Sequence, residues 1–184
     1  MFLNLRVDFT MNLVRPIAVL SLMLSVSACN TEELISSNAS FRCEIPSEVQ
    51  QAMLSRVNFY REQTVNCGGQ IFNGAPALTW NSQLEAAAQV HANDMAKYDF
   101  FSHVGSDGSD GALRIEDQNY NWVAWGENLA SGAESTKQAV DRLINSPEHC
   151  VNIMESGFAE LGGACAQNAD SYFGTYYVQV FGDR

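Results

Sequence analysis

Apolar residues recur at steps of three and four in two segments of the first half of the chain, and this spacing predicts two amphipathic helices. A Ser-x-x-Gln capping box at 47–50 opens the first helix, and a Ser-x-x-Glu box at 82–85 opens the second. We expect the first helix to end near the Asn-Cys-Gly-Gly run at 66–69 and the second to end near Lys97. The inward stripes of the two helices are Val49, Met53, Val57, Tyr60 and Leu84, Ala88, His91, Met95.

The middle of the chain alternates loops with shorter elements. A run rich in Gly, Ser and Asp at 105–111 predicts a loop. A short helix at 112–118 and an aromatic, extended segment at 122–129 follow it. A longer helix at 134–145 precedes a proline that opens a last short helix over 147–154, because proline suits the first position of a helix.

The last part of the chain changes to the pattern of strands. Residues 160–166 are small and apolar, and residues 172–181 are aromatic and β-branched. With a polar turn at 167–171 between them, the two segments predict an antiparallel hairpin. Helices come first and strands last, so the predicted fold class is α+β, with helices packed on the sheet.

The N-terminal segment, residues 1–28, has the pattern of a lipoprotein signal peptide. A basic start precedes an apolar run at 17–26, which is too short for a membrane-spanning helix of about 20 residues. The exit sequence Val-Ser-Ala-Cys resembles a bacterial lipobox, in which Cys29 is lipidated and becomes the first residue. Met11 would start a tidier signal, and residues 29–45 form the predicted tether. The alternative is ordinary cleavage just before Cys29, which would leave a free thiol.

A lipidated Cys29 makes a membrane the first predicted partner. Acyl chains bind a bilayer with about 0.8 kcal/mol per buried methylene, so several chains on one cysteine give a firm anchor. The predicted location is the bacterial cell envelope. Asn30 is not the aspartate that retains lipoproteins at the inner membrane of enteric bacteria, so we expect an outer-membrane or periplasm-facing position.

Four of the five cysteines remain after lipidation of Cys29, and an even number in an exported chain predicts two disulfides. Four cysteines allow three pairings. The pairing Cys43–Cys67 with Cys150–Cys165 closes the shortest loops, and we expect it for that reason. A four-thiolate metal site is the alternative, but the chain has no Cys-x-x-Cys pair.

Composition and charge exclude several classes of protein. The chain of 184 residues is 46% hydrophobic and 17% charged, which is typical of one globular domain. Its net charge of −11 repels phosphate backbones, so nucleic acid is excluded as a predicted partner.

Few polar residues are candidates for chemistry. His91 lies on the inward face of an Ala-rich helix, which indicates a packed core histidine. His103 stands where a helix gives way to a loop, and His149 stands at the start of a short helix. Glu127 lies between Gly and Asn in the aromatic segment and should be partly buried, where an ionised carboxylate needs partners. Two imidazoles and a carboxylate are a common zinc ligand set, but the same groups also share protons without a metal.

Five motifs follow one another along the chain: Ala86-Ala87-Ala88-x-x-His91, Phe101-Ser102-His103, Gly126-Glu127-Asn128-Leu129-Ala130, Ser146-Pro147-Glu148-His149-Cys150 and Tyr177-Val178-Gln179-Val180-Phe181-Gly182. In this order they resemble the motifs of the CAP superfamily, also called SCP domains, which includes the cysteine-rich secretory, antigen 5 and pathogenesis-related 1 proteins. The resemblance covers 46–182, and its Gly-Glu-Asn and Ser-Pro-x-His motifs are typical of the bacterial branch. It implies that 46–184 is one CAP domain, a three-layer α-β-α sandwich with a small central antiparallel sheet.

The resemblance also implies a cavity with two histidines and two acidic residues. By motif, the histidines fall on His103 and His149, and the first acid falls on Glu127. The second acid would fall near Ser146, where this chain has no carboxylate, so the cavity is predicted as a triad. His91 occupies no cavity position in the family pattern.

Two classes of function compete for this cavity. The first is a binding module that takes a divalent cation such as zinc, held by His103 and His149, or a lipid, sterol-like or peptide ligand. The second is a protease-like hydrolase in which Ser102, Ser146 or a metal-bound water attacks. A nucleophilic serine needs a base at about 2.6–3.2 Å and an oxyanion hole. The sequence has no Gly-x-Ser-x-Gly elbow, so we expect a binding module without a defined catalytic activity.

Overall fold

The computed structural model describes Cys43 and residues 46–184. The predicted signal peptide, the lipidation of Cys29 and the rest of the 29–45 tether lie outside these residues. In the described part of the chain, no helix has the length and apolar character needed to cross a membrane. The elements in chain order are α1 (Pro46–Arg61), β1 (Thr64–Cys67), β2 (Gln70–Asn73), β3 (Thr79–Trp80), α2 (Ser82–Tyr98), α3 (Gly111–Glu116), β4 (Ala124–Ser131), α4 (Thr136–Ile144), α5 (Pro147–Met154), β5 (Glu160–Gln167) and β6 (Thr175–Asp183).

The main sheet has four strands in the order β3-β5-β6-β4. The β5–β6 hairpin is antiparallel, as the sequence predicts, and β4 pairs with the other side of β6, also antiparallel. The two-residue strand β3 adds to β5 in parallel, in a segment that the sequence pattern indicated only as extended. Because β4 pairs only with β6 in this sheet, it forms an outer edge, and residues from both faces can meet around it.

Helices cover both faces of the sheet, so the predicted α+β class and the three-layer α-β-α sandwich are confirmed. On one face, α2 and α3 pack against sheet residues such as Leu129 and Val178. On the other face, α1, α4 and α5 pack against residues such as Leu161 and Phe181. The alternation of side chains along β4 therefore sends Glu127 towards α2 and α3, and Asn128 towards α5.

The residues predicted to form the last turns of the first helix belong instead to a second, two-stranded sheet. The helix α1 ends at Arg61 rather than near 66–69, and β1 and β2 form a hairpin after it. The turn consists of Gly68 and Gly69, both with positive φ. A Gly-Gly pair favours the left-handed conformations of a tight hairpin, so the hairpin overrides the helical pattern at this point.

The predicted pairing of the cysteines is wrong. The bridges join Cys43 to Cys165 and Cys67 to Cys150, not Cys43 to Cys67 and Cys150 to Cys165. The reason is the layering of the fold, which brings distant segments together. The first bridge ties the start of the described domain to β5, and the second ties the β1–β2 hairpin to α5. Closing a short loop costs less conformational entropy, but this difference does not determine the pairing once tertiary packing has brought particular thiols together.

Candidate functional site

The predicted site residues lie around the edge strand β4. Glu127 belongs to the middle of β4, opposite Val180 of β6. His103 comes from the loop after α2, and His149 comes from α5 in the other helical layer. The edge position of β4 is what allows groups from the two layers to approach one another.

Glu127 is the buried centre of this site. Its side chain is 3% exposed, and it accepts hydrogen bonds from two cationic or polar partners. His103 Nδ1 lies 2.7 Å from Oε1, and Arg114 Nη2 donates to Oε2 at 2.8 Å. Burial by itself raises the pKa of Glu127, but the hydrogen bond from His103 and the charge of Arg114 outweigh it, so the pKa lies below its ordinary value. Glu127 is therefore a carboxylate at neutral pH.

His149 is oriented by a hydroxyl group where the family pattern expects a second acid. Its Nδ1 lies 2.9 Å from the Oγ of Ser146, the residue that precedes α5. Burial lowers the pKa of His149, and the charge of His103 lowers it further, against a small opposing effect of Glu148. The charge of His103 acts on the ring of His149, so the two imidazoles lie within electrostatic range of each other.

The structure thus joins His103 and Glu127 by direct contact, and the charge of His103 acts on His149. Both imidazoles use Nδ1 for a protein partner, and the hydrogen bonds of the described residues engage neither Nε2 atom. Across Cys43 and 46–184, no three His, Cys, Asp or Glu side chains form a group that could hold a metal ion. A cation bound here would therefore rest on two imidazoles and water.

The family model for the cysteine-rich secretory protein family, CAP, matches residues 54–181 of this chain. The chain belongs to the CAP family. Among curated proteins, an uncharacterized membrane protein of Bacillus subtilis, YlbC, is 27% identical to this CAP protein over 112 residues. That match covers 61% of this chain and 30% of the relative, so the chain spans about a third of the relative's length.

Two solved structures share the fold of this CAP domain. An outer surface protein of Borrelia burgdorferi is 22% identical with a TM-score of 0.62, covering 76% of this chain and 96% of that one. An extracellular protein containing a SCP domain from Bacillus anthracis is also 22% identical, with a TM-score of 0.59, covering 76% of this chain and 44% of that one. At this identity the likeness shows the fold alone.

Arg114 is a site residue of this CAP domain that the sequence reasoning missed. The side chain is 4% exposed, so both members of the Arg114–Glu127 pair are buried. Besides Glu127, it donates to the backbone oxygens of His103 at 3.1 Å and Ser109 at 2.9 Å. A single guanidinium therefore compensates the buried carboxylate and fixes the loop that carries His103. In the sequence, Arg114 is visible only as an arginine in a short helix capped by Asp110. Such an arginine usually lies on a solvated face, so the pattern gave no indication of a buried site residue.

His91 supports the same loop from behind. It is fully buried, in agreement with its predicted core position, and its Nε2 donates to the backbone oxygen of Ser102 at 2.8 Å. Burial lowers its pKa, so it is neutral at neutral pH. His91 thus holds the residue before His103 in place.

Amide side chains connect β4 to α5 on the other side of the edge. Asn128 Nδ2 donates to the backbone oxygen of His149 at 3.1 Å, and Asn152 Nδ2 donates to the backbone oxygen of Glu127 at 3.2 Å. Asn152 Nδ2 also donates to Asn128 Oδ1 at 2.9 Å. These bonds lock the helix that carries His149 to the strand that carries Glu127, so the spacing of the two groups is set by the fold.

Proposed function

We propose that this chain is an exported, lipid-anchored binding module of the bacterial cell envelope whose cavity binds a divalent cation such as zinc through His103 and His149. The observation that carries the proposal is that Glu127 and Ser146 engage the Nδ1 atoms of the two imidazoles. Metal-binding histidines commonly donate one ring N–H to a carboxylate or another oxygen, which fixes the tautomer and directs the other nitrogen at the metal. The arrangement supports Nε2 of each ring as a ligand.

The same geometry argues for weak, exchangeable binding. Two imidazoles leave the remaining positions of a tetrahedral zinc to water or to a ligand. A small peptide or another polar ligand could then complete the coordination. Glu127 already carries two partners, so it acts through His103 rather than as a third metal ligand.

Zinc titration by calorimetry tests the cation site. The wild type is expected to bind zinc, and the double variant His103→Ala/His149→Ala is expected to lose binding. Binding should weaken as the pH falls through about 6.5, because imidazoles must be neutral to coordinate. The pKa of His149 lies below the ordinary value, so its share of the loss should come at lower pH.

A second variant for that titration is Glu127→Gln, which keeps the shape of the side chain and removes its charge. We expect a loss of affinity of about 10- to 100-fold, as for other groups that orient a metal ligand. Equal heats and affinities in the wild type and the double histidine variant would show that the histidines are not a metal site. A metal-free cavity for a hydrophobic or peptide ligand would then take its place.

One contact favours hydrolysis as a second candidate function. Ser146 Oγ lies 2.9 Å from His149 Nδ1, a distance that suits a nucleophile and its base. Ser102 instead accepts a hydrogen bond from the backbone N–H of Val104 at 3.0 Å, as a turn residue does. If Ser146 is a nucleophile, Ser146→Ala should lower the turnover of an aryl acetate or a fluorogenic peptide by at least about 100-fold. Equal rates for the wild type and the variant would refute this candidate.

Anchoring rests on the Val-Ser-Ala-Cys sequence that ends at Cys29. The variant Cys29→Ser is expected to leave the membrane fraction and appear in the soluble fraction of the envelope, because serine cannot carry the thioether-linked lipid. Fractionation followed by immunoblotting measures this shift. A variant that sediments with membranes as the wild type does would contradict the lipobox interpretation.

A further inference from the structure

One end of the domain carries an exposed cluster of aromatic side chains. The cluster consists of Phe101, from the loop after α2, and Tyr172 and Phe173, from the turn between β5 and β6, and we call it the aromatic end. Tyr172 is 86% exposed and Phe101 is 40% exposed. The Phe173 ring lies 5.5 Å from that of Phe101 and 4.9 Å from that of Tyr172, measured between centroids.

Hydrogen bonds hold the aromatic end in a fixed shape. Asp99, the left-handed residue that ends α2, accepts from the backbone N–H of Tyr172 at 2.8 Å and from the hydroxyl of Tyr176 at 3.0 Å. Asn168 Nδ2 donates to the backbone oxygen of Ala96 at 2.8 Å. The turn is therefore fastened to the end of α2, and it presents its exposed rings without the entropic cost of ordering a loop.

The Cys43–Cys165 disulfide fixes where the N-terminal segment joins the domain. Cys165 lies two residues before the end of β5, and the turn that carries the aromatic end follows that strand. Cys43 and Cys165 line one cavity of about 600 Å³ together with Lys97 and Asn168, beside the aromatic end, and a second cavity together with Glu85, towards the start of α2. The segment therefore joins the domain along the side formed by β5 and α2, within reach of the aromatic end.

We propose that the aromatic end lies against the lipid bilayer that holds the anchor, with Tyr172 and Phe101 in the interfacial layer. This inference rests on the lipidation of Cys29 under the proposed function. Thirteen residues lie between Cys29 and Cys43, and the 14 steps of about 3.5 Å each span at most about 50 Å, so the tether lets the aromatic end reach the bilayer. Aromatic rings with one polar edge are favoured at the membrane–water interface.

The charge of the chain selects the kind of bilayer surface. A net charge of −11 opposes approach to anionic lipids, so contact should be strongest on zwitterionic phosphatidylcholine. A cation also lies beside this end: Lys97 Nζ is 4.7 Å from the ring centroid of Tyr98, which is 55% exposed at the end of α2. His103 follows Phe101 by two residues, so this orientation would bring its exposed imidazole close to the lipid headgroups.

Paramagnetic NMR on nanodiscs tests the orientation independently of natural lipidation. The processed chain from Cys29 onward is coupled through that thiol to a maleimide phospholipid, since the other four cysteines form the two bridges. The nanodiscs contain phosphatidylcholine with a trace of headgroup nitroxide. We expect the amide signals of 99–104 and 168–174 to be lost selectively, while those of 117–123, at the opposite end of α2, keep their intensity.

Two variants test whether the aromatic rings themselves make the contact with the bilayer. Phe101→Ser/Tyr172→Ser should restore the lost signals, whereas Val123→Ser, which removes a 74% exposed side chain at the start of β4, should change nothing. Uniform signal loss, loss centred on 117–123, or unchanged loss in the double variant would overturn the proposal. Mass spectrometry of the membrane-extracted protein tests lipidation of Cys29 separately, so failure of the anchor and failure of the bilayer contact give different results.

Discussion

Arg61→Met is expected to lower the free energy of unfolding by about 4 kcal/mol or more, because four backbone oxygens, two of them in fully buried hydrogen bonds, lose the guanidinium donor. Arg61 is the last residue of α1 and is fully buried. Its guanidinium donates to the backbone oxygens of Pro76 at 2.7 Å, Ile153 at 2.9 Å, Glu155 at 2.8 Å and Phe158 at 3.2 Å. It therefore joins α1 to the connector before β3 and to the segment between α5 and β5.

The matched variant for this experiment is Arg61→Lys. Burial lowers the pKa of Arg61 to about 10, against an opposing effect of the Glu155 charge, so the guanidinium is still charged at neutral pH, where backbone carbonyl groups solvate it. Lysine keeps the charge but cannot reproduce the planar fork of donors, so we expect an intermediate loss of about 2 kcal/mol. Urea unfolding of the disulfide-bonded protein measures both. A loss below about 1 kcal/mol for Arg61→Met would show that these hydrogen bonds contribute little to the free energy of unfolding.

Gly162→Ala is the second substitution with a large expected effect. Gly162 lies in β5, where a Cβ atom would overlap the backbone of Leu84 and Glu85 in the first turn of α2. Backbone atoms of a packed helix cannot move aside as a side chain can, so α2 must shift off the sheet. We expect a destabilisation of about 3–4 kcal/mol, at or above the upper end of ordinary overpacking.

The neighbouring glycine provides the control. A Cβ atom on Gly163 would meet the Sδ of Met53, a side chain of α1 that can change rotamer. Gly163→Ala should therefore cost about 1–2 kcal/mol, less than Gly162→Ala. Thermal unfolding followed by circular dichroism compares the two. If the two variants melt together, close contact between α2 and β5 is not what requires Gly162.

Much of the fold follows from local patterns in the sequence. The helical stripe of α2 and the change to strand period after residue 160 correspond to observed elements, and α2 begins at Ser82 as predicted, although the capping side chain is Asn81. Arg61 is a buried residue that local sequence patterns do not identify. It extends the inward series Val49, Met53 and Val57 by four residues, so its position was visible, but its charge indicated a solvated residue. The partners that make it a buried residue come from residues 76–158, and no local pattern contains them.

The site shows a similar limit. Residue chemistry already made His103, Glu127 and His149 candidates, but only the motifs of the family assigned them to one cavity. Arg114 was missed because its partner Glu127 comes from a different element. Long-range pairing decided the disulfides too, since the shortest loops gave the wrong bridges.

The observed bridges are nested, and this affects what stays together when a protease cuts the chain. The Cys43–Cys165 bridge spans 122 residues and encloses the Cys67–Cys150 bridge, which spans 83. A protease cut in the exposed loop at 105–110 therefore yields two fragments that stay joined by both bridges. The pairing of near neighbours would have let the same cut free the C-terminal half. Nesting keeps the fragment with His149 attached to the fragment with His103, and keeps both attached to the segment that leads to Cys29.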